Sequence, residues 1–185
     1  LSNERYFNIK HRLLVTPGEP KGLLVLYVGD VTAFEMLKQD YLLEMPALAY
    51  VQIDNYDDVL QGLTDSQRTD VIVDVNKRLE GWAGDVGAFI KKISEDSYIT
   101  VLNRKSLNKV INDKFDVLDK VKAVHGANRY PVTLSMGVAV GAVNMIDLGE
   151  IAQTGLDLAL GRGGDQVVLD NEGARQFYGG KAKAV

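Results

Sequence analysis

The sequence contains no cysteine, so disulfides and thiolate metal centres are excluded. Histidine is almost as scarce. His11 and His125 stand far apart, and no H-E-x-x-H pattern exists to set two imidazoles on one helix face. Basic excess is missing as well: 21 Lys and Arg face 25 Asp and Glu, a net charge of −4, which argues against a surface for nucleic-acid polymers. No apolar run reaches the roughly 18 residues of a membrane-spanning helix, and no signal peptide is recognisable. The chain starts at Leu1 without an initiator methionine, directly before strand-like sequence. It therefore reads as a soluble fragment cut from a longer protein, with targeting signals removed. What remains is ordinary for a soluble globular chain, 46% hydrophobic and 25% charged. A length of 185 residues suggests one domain, or one plus a fragment.

Residues 4–15, ERYFNIKHRLLV, alternate and are rich in aromatic and branched side chains. A Pro/Gly turn follows, then the apolar run LLVLYVGD, and together these predict an antiparallel hairpin. Residues 31–45 carry helical spacing at Val31, Phe34, Leu37 and Tyr41, with Thr32 or Asp30 as cap and Pro46 as terminator. Two strands cannot bury a core alone, so residues 1–30 read as the end of a truncated domain and 31–45 as a linker helix.

After Pro46 the pattern changes. A buried strand is predicted at 47–54, then a short helix at 55–63 and a longer one at 64–84. The longer helix places Val71, Val75, Leu79 and Trp82 on one face, so Trp82 reads as core and not as a base-stacking platform. A hairpin over 85–93 and 97–102 surrounds the polar turn Ser94–Ser97. One helix is predicted over 106–126, where His125 would suit the negative end of the helix dipole. A strand over 131–141 holds Gly137, a sign of close backbone approach. A helix over 147–160 and a short strand over 165–170 complete the order β-α-α-β-β-α-β-α-β. A hairpin inside alternating elements predicts an α/β (α+β) fold with a mixed sheet and packed helices. This domain is placed at 46–172 and a C-terminal linker at 173–185.

That order, with a polar turn at its centre, resembles the GGDEF domain, the nucleotidyl cyclase-like fold of diguanylate cyclases. YVQIDNYDDV stands where the family has L-D-I-D-x-F-K-x-I-N-D, SEDSY where it has G-G-D/E-E-F, and YPVTLSMGVAV matches L-P-V-T-V-S-I-G-V-A. The resemblance covers about residues 46–170. The signature glycines fall on Ser94 and Glu95, the metal-binding acid on Asp96, the fourth acid on Ser97 and the Phe on Tyr98. The metal-binding Asp of D-I-D falls on Gln52, a neutral side chain where Mg²⁺ with a triphosphate prefers carboxylates. The guanine-reading Asn falls on Leu60, and its Asp partner near Thr69 or Asp70. The inhibitory R-x-x-D motif is replaced by Asp85 and Ala88. The turn thus looks like a former cyclase site.

The hairpin and VGDVTAFEMLKQDY look like the end of a PAS domain and its outgoing helix. GRGGDQ (161–166) replaces the usual A-K-x-x-G-R-N ending. Together these resemble the GdpP/YybT type of membrane-anchored cyclic-di-AMP phosphodiesterases, ordered PAS, degenerate GGDEF, DHH/DHHA1. No D-H-H motif is present. The resemblance implies a non-cyclase regulatory domain on the cytoplasmic side of a membrane-anchored parent, with weak ATP hydrolysis and no haem in this segment. It implies ATP or GTP with Mg²⁺ as ligand, the adjacent PAS and DHH/DHHA1 domains as partners, and a homodimer through the linker helix. The implied nucleotide site comprises Ser94, Glu95, Asp96, Ser97 and Arg162, with Asp96 and Asp54 as metal ligands. Asp54 would take over from Gln52 as a ligand, although its side chain is expected on the opposite face of the strand. Arg162 is the one basic residue left near the segment from which active cyclases reach phosphate.

Plainer readings stand beside these. Glu95 and Asp96 suit a solvated turn, Asp57 and Asp58 suit helix N-terminal acids, and GRGGDQ suits a helix C-cap as well as a phosphate cradle. Lys91 and Lys92 flank the turn on alternate faces. An active nucleotidyl cyclase and a purely structural interaction module remain open as alternatives.

Overall fold

The computed structural model describes residues 4–15, 18, 22–124, 130–142 and 144–179. His125 lies outside the described residues. The chain divides into two units, Leu1–Leu43 and Glu44–Val185.

In the first unit, β1 (Phe7–Leu14) and β2 (Leu23–Asp30) pair antiparallel, as the alternation predicts. Helix α1 (Thr32–Glu44) follows, and the Asp30 carboxylate accepts its first amide, Thr32 N–H, at 2.9 Å. None of its residues is buried; Phe34, Leu37 and Tyr41 are 65%, 68% and 70% exposed.

The second unit runs β3 (Pro46–Ile53), α2 (Tyr56–Leu60), α3 (Asp65–Val86), β4 (Phe89–Lys92), β5 (Ser97–Asn103), α4 (Arg104–Asn112), α5 (Val117–Lys122), β6 (Leu134–Val140), α6 (Met145–Gly161), β7 (Gln166–Asn171) and β8 (Ala174–Gly179). Its six strands form one mixed sheet in the order β4-β5-β3-β6-β7-β8. Only β6 and β7 pair parallel; every other neighbouring pair is antiparallel.

Alternation sorts the two faces. Ala47, Ala49, Val51 and Ile53 of β3 and Met136 and Val138 of β6 meet Val75, Leu79 and Trp82 of α3 and Leu107 and Val110 of α4. Leu48 and Ala139 face the other way, against Leu148 and Ala152 of α6. Gly137 lets α6 sit close: a Cβ there would stand 2.0 Å from the Ala152 carbonyl and 2.2 Å from the Leu156 nitrogen. The close approach expected at this glycine is therefore real.

Three boundaries differ from the sequence reading. Gly84 does not stop α3, which continues to Val86. The left-handed residue is Gly87 at φ +73°, whose N–H caps the Ala83 and Gly84 carbonyls. The single helix over 106–126 is two helices, because Lys114 and Phe115 adopt φ +54° and +55°. Phe115 and Val117 are both buried, yet at about 100° per residue one helix would turn them to opposite sides. Residues 174–179, expected within a linker, form the edge strand β8. Glu172 and Gly173, both with positive φ, make a two-residue hairpin turn between paired Asn171 and Ala174.

Candidate functional site

The ends of β3 and β6, the start of α2 and the β4–β5 turn meet at one edge of the sheet. Ile53 N–H donates to the Asp96 carbonyl at 2.9 Å, which pins the turn to β3. Asp54 N–H donates to the Thr133 carbonyl at 3.0 Å. Asn55 closes the corner: its Nδ2 donates to the Pro131 carbonyl at 2.8 Å and its Oδ1 accepts Thr133 N–H at 3.1 Å. An open cleft of about 590 Å³ results, lined by Gln52, Ile53, Asp54, Asn55, Tyr56, Asp57, Asp58, Ser94, Glu95 and Asp96.

Asp96 is the best-satisfied acid there. Its Oδ1 accepts from the hydroxyls of Ser94 and Ser97, both at 2.8 Å, and its Oδ2 accepts from Gln52 Nε2 at 3.0 Å. Burial pushes its pKa up, but the hydrogen bonds from Ser94, Ser97, its own backbone and Gln52 outweigh burial and hold it below the ordinary value. Gln52 can reach Asp96 because Gln52 pairs with Ser97 across β3 and β5. None of the four turn residues has a positive φ, so replacing glycines by Ser94 and Glu95 strains no backbone.

Asp54 lines the same cleft as Gln52, and not the opposite face as expected, because residues two apart share a strand face. Its bonds, however, run elsewhere. Its Oδ2 accepts Asp165 N–H at 2.7 Å, while its Oδ1 is buried without a partner. Burial raises its pKa, opposed by the Ser135 hydroxyl, the Asp165 N–H and Thr133. Ser135 Oγ is close enough to act on the charge but lacks hydrogen-bond geometry. The glycine-rich segment after α6 is thus a cradle for an anion supplied by the chain itself. It is also a helix cap: Gly163 and Gly164 N–H groups donate to the Leu160 and Ala159 carbonyls.

Arg162 is not among the cleft residues. Its guanidinium lies 4.6 Å from the Phe177 ring centroid, and its Nε donates to Gln166 Oε1 at 3.2 Å. Lys92 likewise turns away, over the Tyr98 ring at 5.7 Å. The structure therefore brings Ser94, Glu95 and Asp96 together with Asp54, Asp57 and Asp58, and leaves Arg162 outside. Ser97 acts from behind, through Asp96.

A second cleft of about 510 Å³ adjoins the first and shares Tyr56, Asp57, Asp58 and Glu95 with it; Leu60, Gln61, Arg68 and Ile72 complete the lining. Leu60 offers no hydrogen bond, and the Thr69 hydroxyl donates to the Asp65 carbonyl at 2.9 Å. Sequence reasoning missed Arg68, the one basic residue among the described lining of either cleft. It stands in the first turn of α3, where its Nε donates to the Leu63 carbonyl at 3.2 Å. The signal was available: it lies eight residues after Leu60, across a two-helix corner.

Mg²⁺ is the ion that a cyclase-like fold brings to mind, and the donor set tests it. Among the described residues no three acids or imidazoles are grouped to hold a metal. Asp96 already accepts three hydrogen bonds, Gln52 offers it a donor, and Asp54 is engaged by the Asp165 amide. As placed, these side chains are engaged with protein groups.

The family sequence model described as "Cyclic-di-AMP phosphodiesterase GdpP-like, GGDEF domain" matches residues 51–177. The chain belongs to that GGDEF family. The cyclic-di-AMP phosphodiesterase GdpP of Bacillus subtilis (strain 168) is 42% identical over 158 residues, which is 85% of this chain and 24% of that protein. The cyclic-di-AMP phosphodiesterase PdeA of Listeria monocytogenes is 36% identical over the same share of each. This GGDEF chain thus spans about a quarter of the length of these curated relatives. Its fold is that of nucleotidyl cyclase domains. A diguanylate cyclase/phosphodiesterase from Caldicellulosiruptor saccharolyticus superposes with a TM-score of 0.59 at 18% identity, covering 78% of this chain and 87% of that one. The GGDEF domain of DgcB from Caulobacter crescentus, solved with c-di-GMP, gives 0.58 at 14%, covering 75% and 90%.

Proposed function

We propose that this chain is a degenerate, non-cyclase GGDEF regulatory domain of a cyclic-di-AMP phosphodiesterase. The observation that carries the reading is the closed network on Asp96: two hydroxyls and the Gln52 amide satisfy the acid that a cyclase would hold for metal. Condensing two nucleotides needs paired metal carboxylates on each of two opposed sites, and here a neutral amide fills the partner position. Hydrolysis of cyclic dinucleotide would belong to a DHH/DHHA1 part of the parent, and this domain would relay a PAS-derived signal to it. The exposed stripe Phe34, Leu37 and Tyr41 on α1 has the 3-4 spacing of a helix-pairing seam, which supports a homodimer through that helix in a membrane-anchored parent.

The two adjoining clefts have room for a nucleotide, ATP or GTP, since Leu60 reads neither base. Mg²⁺ would arrive with the phosphates, and Asp96 would be its one protein contact. Hydrolysis of ATP at such a site would be weak. A purely structural role is the second reading, and charge favours it: five carboxylates and no basic residue line the larger cleft. Calorimetry with ATP and GTP, with and without Mg²⁺, separates the two. Incubation with labelled GTP or ATP, followed by chromatography, should yield no cyclic dinucleotide. Product that disappears with Asp96→Ala would overturn the non-cyclase reading.

A further inference from the structure

Asp54 belongs to the floor of the larger cleft, yet its carboxylate points its bond away from it, to Asp165 N–H. Gly164 makes this approach possible. It has φ +73°, and a Cβ on it would stand 2.6 Å from Asp54 Oδ2. The other oxygen, Oδ1, is buried and unbonded.

Asp165 extends the contact in two directions. Its Oδ2 lies 2.6 Å from Lys122 Nζ on α5. Its carbonyl lies 3.0 Å from where a Cβ on Gly179 would be, and Leu118 of α5 lies 2.7 Å from that same point. Gly179 is the last residue of β8 and pairs with Gln166. The end of β8 is therefore seated against the residue that Asp54 holds.

We propose that Asp54 and Asp165 form a relay that couples the conformation of the cleft floor to strand β8. Oδ1 is buried, so a group in the cleft can recruit it only if the carboxylate turns about its Cβ–Cγ bond, and because a carboxylate is planar and rigid that turn re-aims Oδ2 as well. Asp165 N–H then loses its acceptor. Asp165 already sits at φ +58°, and with that bond gone its loop, its ion pair to Lys122 and the seat of Gly179 relax together. The coupling is reciprocal: a displacement of β8 frees Asp54 toward the cleft. This deepens the regulatory reading above by giving the cleft an output, but the link itself needs no nucleotide.

Hydrogen exchange on this chain without ligand tests it. Asp54→Ala should speed amide exchange in Gln166–Asn171 and Ala174–Gly179 roughly tenfold or more, the expectation for loss of a charge-assisted hydrogen bond. Ser97–Asn103 should exchange as in the wild type. Asp54→Asn, which keeps the shape and drops the charge, should act in the same direction and less strongly. In reverse, Asp165→Asn, tolerant of the positive φ, should speed exchange in Tyr56–Leu60. Changes confined to residues near each substitution would overturn the relay, and so would uniform acceleration over the whole sheet. Because no nucleotide is added, failure of nucleotide binding in calorimetry would remove the ligand and leave this result intact.

Discussion

Replacing Gln52 by aspartate should convert a satisfied turn into a metal-dependent one. In the wild type the Gln52 amide donates to Asp96 Oδ2 at 3.0 Å. Gln52→Asp removes that donor, and a hydrogen bond to a charged group contributes about 1.5–3 kcal/mol. It also sets a second carboxylate beside the first. At a separation of ~5 Å the repulsion is about 1 kcal/mol in water-like surroundings and about 3 kcal/mol at an effective dielectric near 20. Asp96 is half-buried at a cleft mouth, so water screens the pair and the lower figure applies. The variant should lose about 2.5–4 kcal/mol in EDTA, which lowers the melting midpoint by roughly 5–16 °C for a domain of this size. Two facing carboxylates are also what a hard divalent cation needs. If Mg²⁺ is present at tenfold its dissociation constant, about 1.4 kcal/mol returns. Thermal melts by circular dichroism, in EDTA and in Mg²⁺, read both effects. The reasoning fails if Gln52→Asp melts with the wild type in EDTA, or if the wild type gains as much from Mg²⁺ as the variant does.

Gly137→Ala should destabilise by at least ~3 kcal/mol, the upper range for overpacking, because the added methyl meets backbone atoms of α6 and not a movable side chain; urea unfolding measures it. Tyr98 donates its hydroxyl to Asn76 Oδ1 at 2.6 Å, and burial, with smaller contributions from Tyr56, Glu80 and Asp96, pushes its pKa up to about 12. Its neutral form is the folded one, so stability should be full below pH ~10 and fall as pH rises toward 12; Tyr98→Phe should flatten that alkaline limb. Asp96 is depressed, so its contribution should be present above pH ~4 and be lost as pH falls further; Asp96→Asn should flatten the acid limb. Arg162→Ala should leave Mg²⁺–nucleotide affinity within about twofold, far short of the 1.5–3 kcal/mol of a direct charged contact, because Phe177 and Gln166 hold the guanidinium outside the cleft lining; a tenfold loss in calorimetry would bring it back into the site.

Strand β3, the Ser94–Ser97 turn, the packing glycine of β6 and the apolar face of α3 were legible because each is written in local periodicity or turn chemistry. The break between α4 and α5 was not. Leu107, Val110, Ile111, Leu118 and Val121 satisfy one continuous helix as well as two; the joint burial of Phe115 and Val117 and the positive φ of Lys114 and Phe115 exclude it. β8 hid behind an Asn-Glu-Gly turn whose first left-handed residue is a glutamate, a residue with no preference for that conformation. At the candidate site, Ser94, Glu95, Asp96 and Asp54 line one cleft, and Arg162 is not among the cleft residues. The resemblance turns Arg162, just after α6, toward phosphate, but the unforeseen strand β8 supplies Phe177, and the guanidinium lies over its ring.

The glycine-rich segment shows why a loop's sequence underdetermines its ligand. GRGGDQ has what a phosphate cradle has, glycines with positive φ and an N–H that meets an anion, and it also has what a helix cap has. Both readings describe its backbone correctly. What decides between them is 111 residues away in sequence: the Asp54 carboxylate, 2.7 Å from Asp165 N–H, is the anion that the loop holds. An internal carboxylate is present at unit occupancy, whereas a free phosphate must displace it from Asp165 N–H. While Asp54 stays in place, Asp165 N–H already has its acceptor. The same bond that engages Asp54 Oδ2 is, in the relay proposed above, the joint between cleft and sheet edge.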